Sequence, residues 1–145
     1  MRPRQAITVL ALAGIFVALY LTLFKFGVIG ELSCSVGECE TVNTSRWAML
    51  LGLPVAAWGL GAYIALFALS LVGMTERFQE SRPIALALVA ISGTGALFSG
   101  WLTYLELFVI HAICIWCVTS ATIIALIFIA AILDRRELQS LEEPE

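Results

Sequence analysis

Four stretches of this chain contain no Asp, Glu, Lys or Arg: residues 5–24, 47–75, 83–105 and 107–133. A helix crosses a hydrocarbon core in about 20 apolar residues, so each stretch is long enough to span. The pattern predicts helices over about 6–24, 54–72, 83–105 and 112–133. Within 47–75, Gly52 and Pro54 interrupt the run early. That predicts a short half-helix near 44–51 capping the bundle, followed by a span with proline at its entry. Residues 26–52 are then the external loop with its half-helix, and 134–145 an acidic, frayed tail. The links at 73–82 and between the third and fourth spans are short. The third span carries Ser92, Ala96 and Gly100 four apart, a small-residue stripe suited to close helix contact.

The composition agrees: 61% of residues are hydrophobic and only 13% charged, with a mean hydropathy of +0.98. The expected fold is an all-α integral membrane bundle of four helices with a half-helix cap, one domain over 1–145. Orientation follows from Lys and Arg near the span ends rather than from the net charge of -3. Arg2, Arg4, Arg77, Arg82, Arg135 and Arg136 fall on one side, Lys25 and Arg46 on the other. Both termini are therefore expected in the cytoplasm of a cell-membrane protein. A cleaved signal peptide at the amino end is the alternative, but the run is long for one and residues 25–31 offer no small-residue cleavage site. Membrane lipid is an expected partner and nucleic acid is not.

Candidate chemistry rests on the cysteines. Cys114 and Cys117 form a C-x-x-C at the front of the fourth apolar run, where the unpaired N–H groups of a first helical turn favour a thiolate. Their β-carbons are expected about 5–6 Å apart in a regular helix, against about 3.8 Å in a disulfide. A bond between them is suited to exchange rather than to stapling. Cys34 and Cys39 lie in the polar loop, separated by Ser35, Val36, Gly37 and Glu38. They form either a permanent surface disulfide or a pair that meets a soluble protein. Both pairs face the side opposite the arginine-rich ends, the exterior or periplasm of a prokaryote, where disulfides persist.

Two pairs at different depths suggest an electron relay, and the natural final acceptor in a bilayer is a lipid-soluble quinone, ubiquinone or menaquinone. Ser45 and Asn43 are candidate polar contacts for it, with Trp47, Trp58, Trp101, Trp116 and Phe98 as ring neighbours or as ordinary packing and belt residues. His111 is a candidate proton carrier or an interfacial residue, and Glu106 a solvated carboxylate. Zinc ligation by the C-x4-C and C-x2-C pairs has acceptable local spacing, but two spans divide them and no carboxylates cluster beside them. Haem attachment requires a histidine directly after the second cysteine, where Val118 stands.

Cys34, Cys39, Ser45 and the Cys114–Cys117 pair, in that order among four helices, resemble the vitamin K epoxide reductase family, particularly its bacterial and archaeal members without a fused thioredoxin-like domain. Ser45-Arg46-Trp47, then Gly52-Leu53-Pro54 and the stretch from Gly59 to Tyr63, look like the family's half-helix and second span. The resemblance implies that a separate thioredoxin-like partner attacks the loop disulfide at Cys39 and frees Cys34. Cys34 then attacks Cys114, and Cys117 delivers electrons to a quinone beside Ser45. It implies a disulfide-generating, quinone-dependent thiol oxidoreductase.

Relatives that reduce vitamin K epoxide have Thr-Tyr-Ala after the C-x-x-C. Here Thr119 is followed by Ser120 and Ala121, and the second span has no asparagine. The unrelated bacterial four-helix disulfide-generating enzymes carry C-x-x-C in the first external loop instead. The rival readings are a quinone or vitamin K epoxide reductase and, outside enzymes, a metal-binding or structural membrane protein.

Overall fold

In lipid every backbone N–H and C=O must be satisfied within the protein, so long uncharged runs close their hydrogen bonds as helices. A computed structural model, which describes residues 3–25, 49–50, 52–75, 77, 82–110 and 115–142, contains four helices long and apolar enough to cross a membrane. Helix α1 spans Pro3–Lys25, α2 Val55–Gly73, α3 Arg82–Leu105 and α4 Ile115–Glu142. Pro3 occupies the first position of α1, where its missing N–H costs nothing. At the other end of α2, Met74 N and Thr75 N donate to the carbonyls of Leu71 and Val72 at 3.1 Å each. Thr75 Oγ1 also donates to Val72 O at 2.7 Å, so the last turn is closed tightly.

The helix bounds differ from the sequence reading at three places. Met49–Leu50 (β1) and Leu53–Pro54 (β2) pair as a short antiparallel hairpin, Met49 opposite Pro54 and Leu50 opposite Leu53. The half-helix expected over 44–51 therefore does not extend through Met49 and Leu50, and residues 44–48 lie outside the described set. Gly52, at φ +83°, explains the change, since the tight hairpin loop needs a left-handed residue and only glycine takes that conformation without strain. At its far end α3 does not stop at Glu106 but widens into a π-helix over Glu106–Ile110. Leu107, Phe108 and Val109 are exposed there, so the apolar outer face simply continues. Finally, α4 runs on to Glu142, past the end of the apolar run and into the segment expected to fray.

Contacts set the topology. Arg4, at the start of α1, meets Gly73 at the end of α2 and Asp134 far along α4. Tyr20, near the end of α1, stacks on Trp116 at the start of α4, with ring centroids 5.2 Å apart. Between α3 and α4, Gly93 faces Phe128 and Gly95 faces Ile124. Neighbouring helices thus run antiparallel, and both ends of the described chain come to the same end of the bundle. The close approach of α3 is made at Gly93 and Gly95 rather than along the anticipated stripe. Ser92 is buried and Ala96 packs on the core, but Gly100 is exposed with nothing within 4 Å.

Polarity is distributed as a bilayer demands. Phe16 and Leu97 are 65% and 80% exposed, whereas Ser70 and Ser92 are wholly buried. Each buried hydroxyl is satisfied: Ser92 Oγ donates to Leu88 O, and Ser70 Oγ to Phe67 O at 2.9 Å. Thr8 Oγ1 bonds Ser70 Oγ at 2.8 Å and so ties α1 to α2. The core comprises Ile7, Ala11, Leu66, Leu88, Ile127 and Ala131 among others.

Gly14 sits under the Tyr63 ring so closely that a β-carbon added there lies 2.3 Å from Cε1. Gly14→Ala is therefore expected to destabilise the bundle by about 1–3 kcal/mol through overpacking, read as a lower midpoint of thermal unfolding in detergent. An unchanged midpoint means that the ring has space to move aside.

Candidate redox site

The start of α4 lies at the end of the bundle opposite Arg4, and Cys117 stands in its first turn. It is half-buried and packs, with Trp116, against the core. Ala56 and Leu60 of α2 pack against that same core. On one flank the indole of Trp116 stacks on Tyr20 with the planes inclined by only 22°. This holds the turn against α1.

One turn further along the same helix face, Ser120 is bound by Tyr63 of α2. The Tyr63 hydroxyl donates to the Ser120 carbonyl at 2.8 Å and shares a second 2.8 Å bond with Ser120 Oγ. Tyr63 is buried, its ring resting on Gly14 of α1. Three helices therefore meet around the turn that bears Cys117. Thr119 Oγ1 and Thr122 Oγ1 point elsewhere, bonded to the carbonyls of Ile115 and Val118 in their own helix.

Of the residues singled out from the sequence, Cys34, Cys39, Asn43, Ser45, Trp47, His111 and Cys114 lie outside the described residues. In the sequence Cys114 directly precedes Ile115, the first described residue of α4. Among the tryptophans offered as ring neighbours, Trp116 adjoins Cys117. Trp101, by contrast, is half exposed and stacks on Tyr104 at 5.8 Å, and Tyr104 in turn meets Phe108 at 5.0 Å. That ladder runs along the outer surface of α3, where an interfacial aromatic belt sits.

Two contributors were not singled out from the sequence, Tyr63 as a polar contact and Tyr20 as a stacking partner. A tyrosine in the middle of an apolar span is a usable signal, because its buried hydroxyl requires a partner. Nothing local pairs it with a serine of another helix.

The thiol of Cys117 is thus half-buried between an aromatic pair and a bonded hydroxyl pair. The sequence matches the vitamin K epoxide reductase family over residues 5–132, which takes in the first three apolar runs, all but the last residue of the fourth, and every cysteine. The chain is thus a multi-pass membrane oxidoreductase belonging to the vitamin K epoxide reductase family.

Proposed function

We propose that this protein is a quinone-dependent thiol oxidoreductase that oxidises a thioredoxin-like partner and so supports disulfide formation outside the cytoplasm. The observation that carries this reading is Cys117, half-buried in the first turn of α4 and flanked by Trp116 against Tyr20 and by Ser120 against Tyr63. The family match supports redox chemistry at a membrane.

In this reading the partner's thiolate attacks the Cys34–Cys39 disulfide at Cys39, releasing Cys34 as thiolate. The partner's second thiol then displaces Cys39 and leaves with its own disulfide. Cys34 attacks Cys114 of an oxidised Cys114–Cys117 pair, and Cys39 resolves that mixed disulfide, so that the inner pair ends as two thiols. Reoxidation of the inner pair releases two electrons and two protons, and a bound quinone supplies the acceptor that takes them up as quinol. Ser45 and Trp47 would hold that quinone, with Trp116 as a neighbouring ring. The exchange surface faces the exterior and both termini the cytoplasm, as the six-to-two division of Lys and Arg favours.

Purified protein supplied with a reduced thioredoxin-like protein and a ubiquinone or menaquinone analogue should produce partner disulfide and quinol in equal amounts. Turnover of vitamin K epoxide without partner oxidation favours the epoxide reductase reading. Tightly held zinc with no dithiol oxidation removes the relay altogether. Cys39→Ser should block entry of electrons from the partner while leaving small-molecule dithiols able to reduce the inner pair, measured as quinol formation with each reductant.

A further inference from the structure

We propose that Tyr63 is a positioning residue for Cys117, holding the turn that carries the thiol at a fixed rotation through its two bonds to Ser120. The inference rests on the reading of Cys117 as the redox thiol. It adds a residue that neither the cysteine pattern nor the quinone contacts supply.

Cys117 and Ser120 are separated by one helical turn and lie on the same face, so what holds Ser120 holds the direction in which the thiol points. The Tyr63 hydroxyl reaches both the carbonyl and the hydroxyl of Ser120 at 2.8 Å. A bond to side chain alone would let the helix slide behind it. A bond to the carbonyl engages the backbone of α4 itself.

The tyrosine is in turn unable to drift, because it is 3% exposed and its ring lies on Gly14 with no space for even a β-carbon between them. The Tyr20–Trp116 stack tethers the residue just before Cys117 to α1. The thiol is therefore bracketed, with a ring contact before it and a backbone tether after it, each reaching to a different helix.

This arrangement matters because thiol exchange requires in-line approach along the attacked S–S axis and a defined depth for the sulfur. Rotation of the first turn about the α4 axis would swing Sγ out of that line while leaving the bundle folded. General packing of Tyr63 would affect stability alone.

The test uses protein in which Cys34, Cys39 and Cys114 are replaced by serine, leaving Cys117 as the remaining thiol of the four. Its alkylation by a membrane-permeable maleimide then reports the freedom of the sulfur. Tyr63→Phe, which removes the hydroxyl and keeps the ring, is expected to raise the rate about five-fold, the equivalent of one hydrogen bond. Ser120→Ala keeps the carbonyl acceptor and is expected to raise it less. Leu66→Ala, on the same helix and fully buried, controls for loosening of the bundle and is expected to lower the thermal midpoint without a comparable increase.

In the four-cysteine protein, Tyr63→Phe should lower kcat for dithiol oxidation and leave KM for the partner unchanged. Unaltered alkylation in Tyr63→Phe, or an equal rise in Leu66→Ala, overturns the positioning role. If alkylation responds as expected but the unsubstituted protein oxidises no dithiol, the relay is what fails and the positioning of Cys117 stands.

Discussion

Cys117→Ser is expected to lower quinone-coupled oxidation of a partner dithiol by about a thousand-fold or more, the scale on which loss of a covalent participant acts. Serine has nearly the shape of cysteine, and residue 117 is only half-buried, so the fold and the Tyr63–Ser120 and Tyr20–Trp116 contacts beside it should persist. The hydroxyl cannot form or release a disulfide. With Cys117 gone, Cys114 can attack the Cys34–Cys39 disulfide at Cys34 and release Cys39 as thiolate. No second inner thiol then displaces Cys34, so a Cys34–Cys114 disulfide should accumulate in exchange with the Cys34–Cys39 form. Non-reducing electrophoresis after alkylation and proteolysis reads that species directly. The paired measurement is quinol formation. Turnover by Cys117→Ser at the rate of the unsubstituted protein would remove Cys117 from the path, and with it the inner pair.

The second large effect is expected at the other end of the bundle. Arg4 Nε donates to both carboxylate oxygens of Asp134, at 3.1 and 3.2 Å, and Arg4 Nη1 donates to the Gly73 carbonyl. Arg4 and Asp134 are 5% and 6% exposed. One guanidinium thus joins the start of α1, the last turn of α2 and the far part of α4, and it lies against the carbonyl end of α2, where the helix dipole favours a cation.

Asp134→Ala removes the carboxylate that both bonds of Arg4 Nε reach in a buried site and should cost about 3–5 kcal/mol of stability. Replacing both partners by apolar residues, Arg4→Met with Asp134→Leu, removes both charges and should recover most of the loss. Chemical unfolding in detergent micelles measures both. A loss below about 1 kcal/mol for Asp134→Ala would mean that water reaches the pair and that it acts as an exposed salt bridge. Because Cys117 stands at the opposite end, the doubly apolar variant should keep its thiol oxidation rate once folded.

How far each feature could be read in advance depends on the range of the interaction behind it. The spans were legible because helix formation in lipid is a local consequence of uncharged length. The predicted ranges 6–24, 54–72 and 83–105 fall within a few residues of Pro3–Lys25, Val55–Gly73 and Arg82–Leu105. Failures came where neighbours along the chain said one thing and partners across the bundle another. Arg4 and Asp134 read as interfacial charges that orient the protein and end a helix. In the fold they form a buried pair, and α4 passes through Asp134 to Glu142.

Ser92, Ala96 and Gly100 have the spacing of a contact stripe, yet the groove is made by Gly93 and Gly95, because rotation of α3 is chosen by Phe128 and Ile124 opposite. The hairpin at Met49–Pro54 replaced the end of a half-helix because a positive φ at Gly52 outweighs the apolar run around it.

Residue order alone was enough to establish a four-helix membrane protein and to mark the thiols as candidates, since apolar length and C-x-x-C spacing are written consecutively in the chain. Which hydroxyl reaches the turn of Cys117, which ring covers Gly14 and which carboxylate answers Arg4 depended on the rotation and pairing of the helices. Those are set by side chains far apart in sequence, and a pattern read along one helix carries no information about the face its neighbour presents.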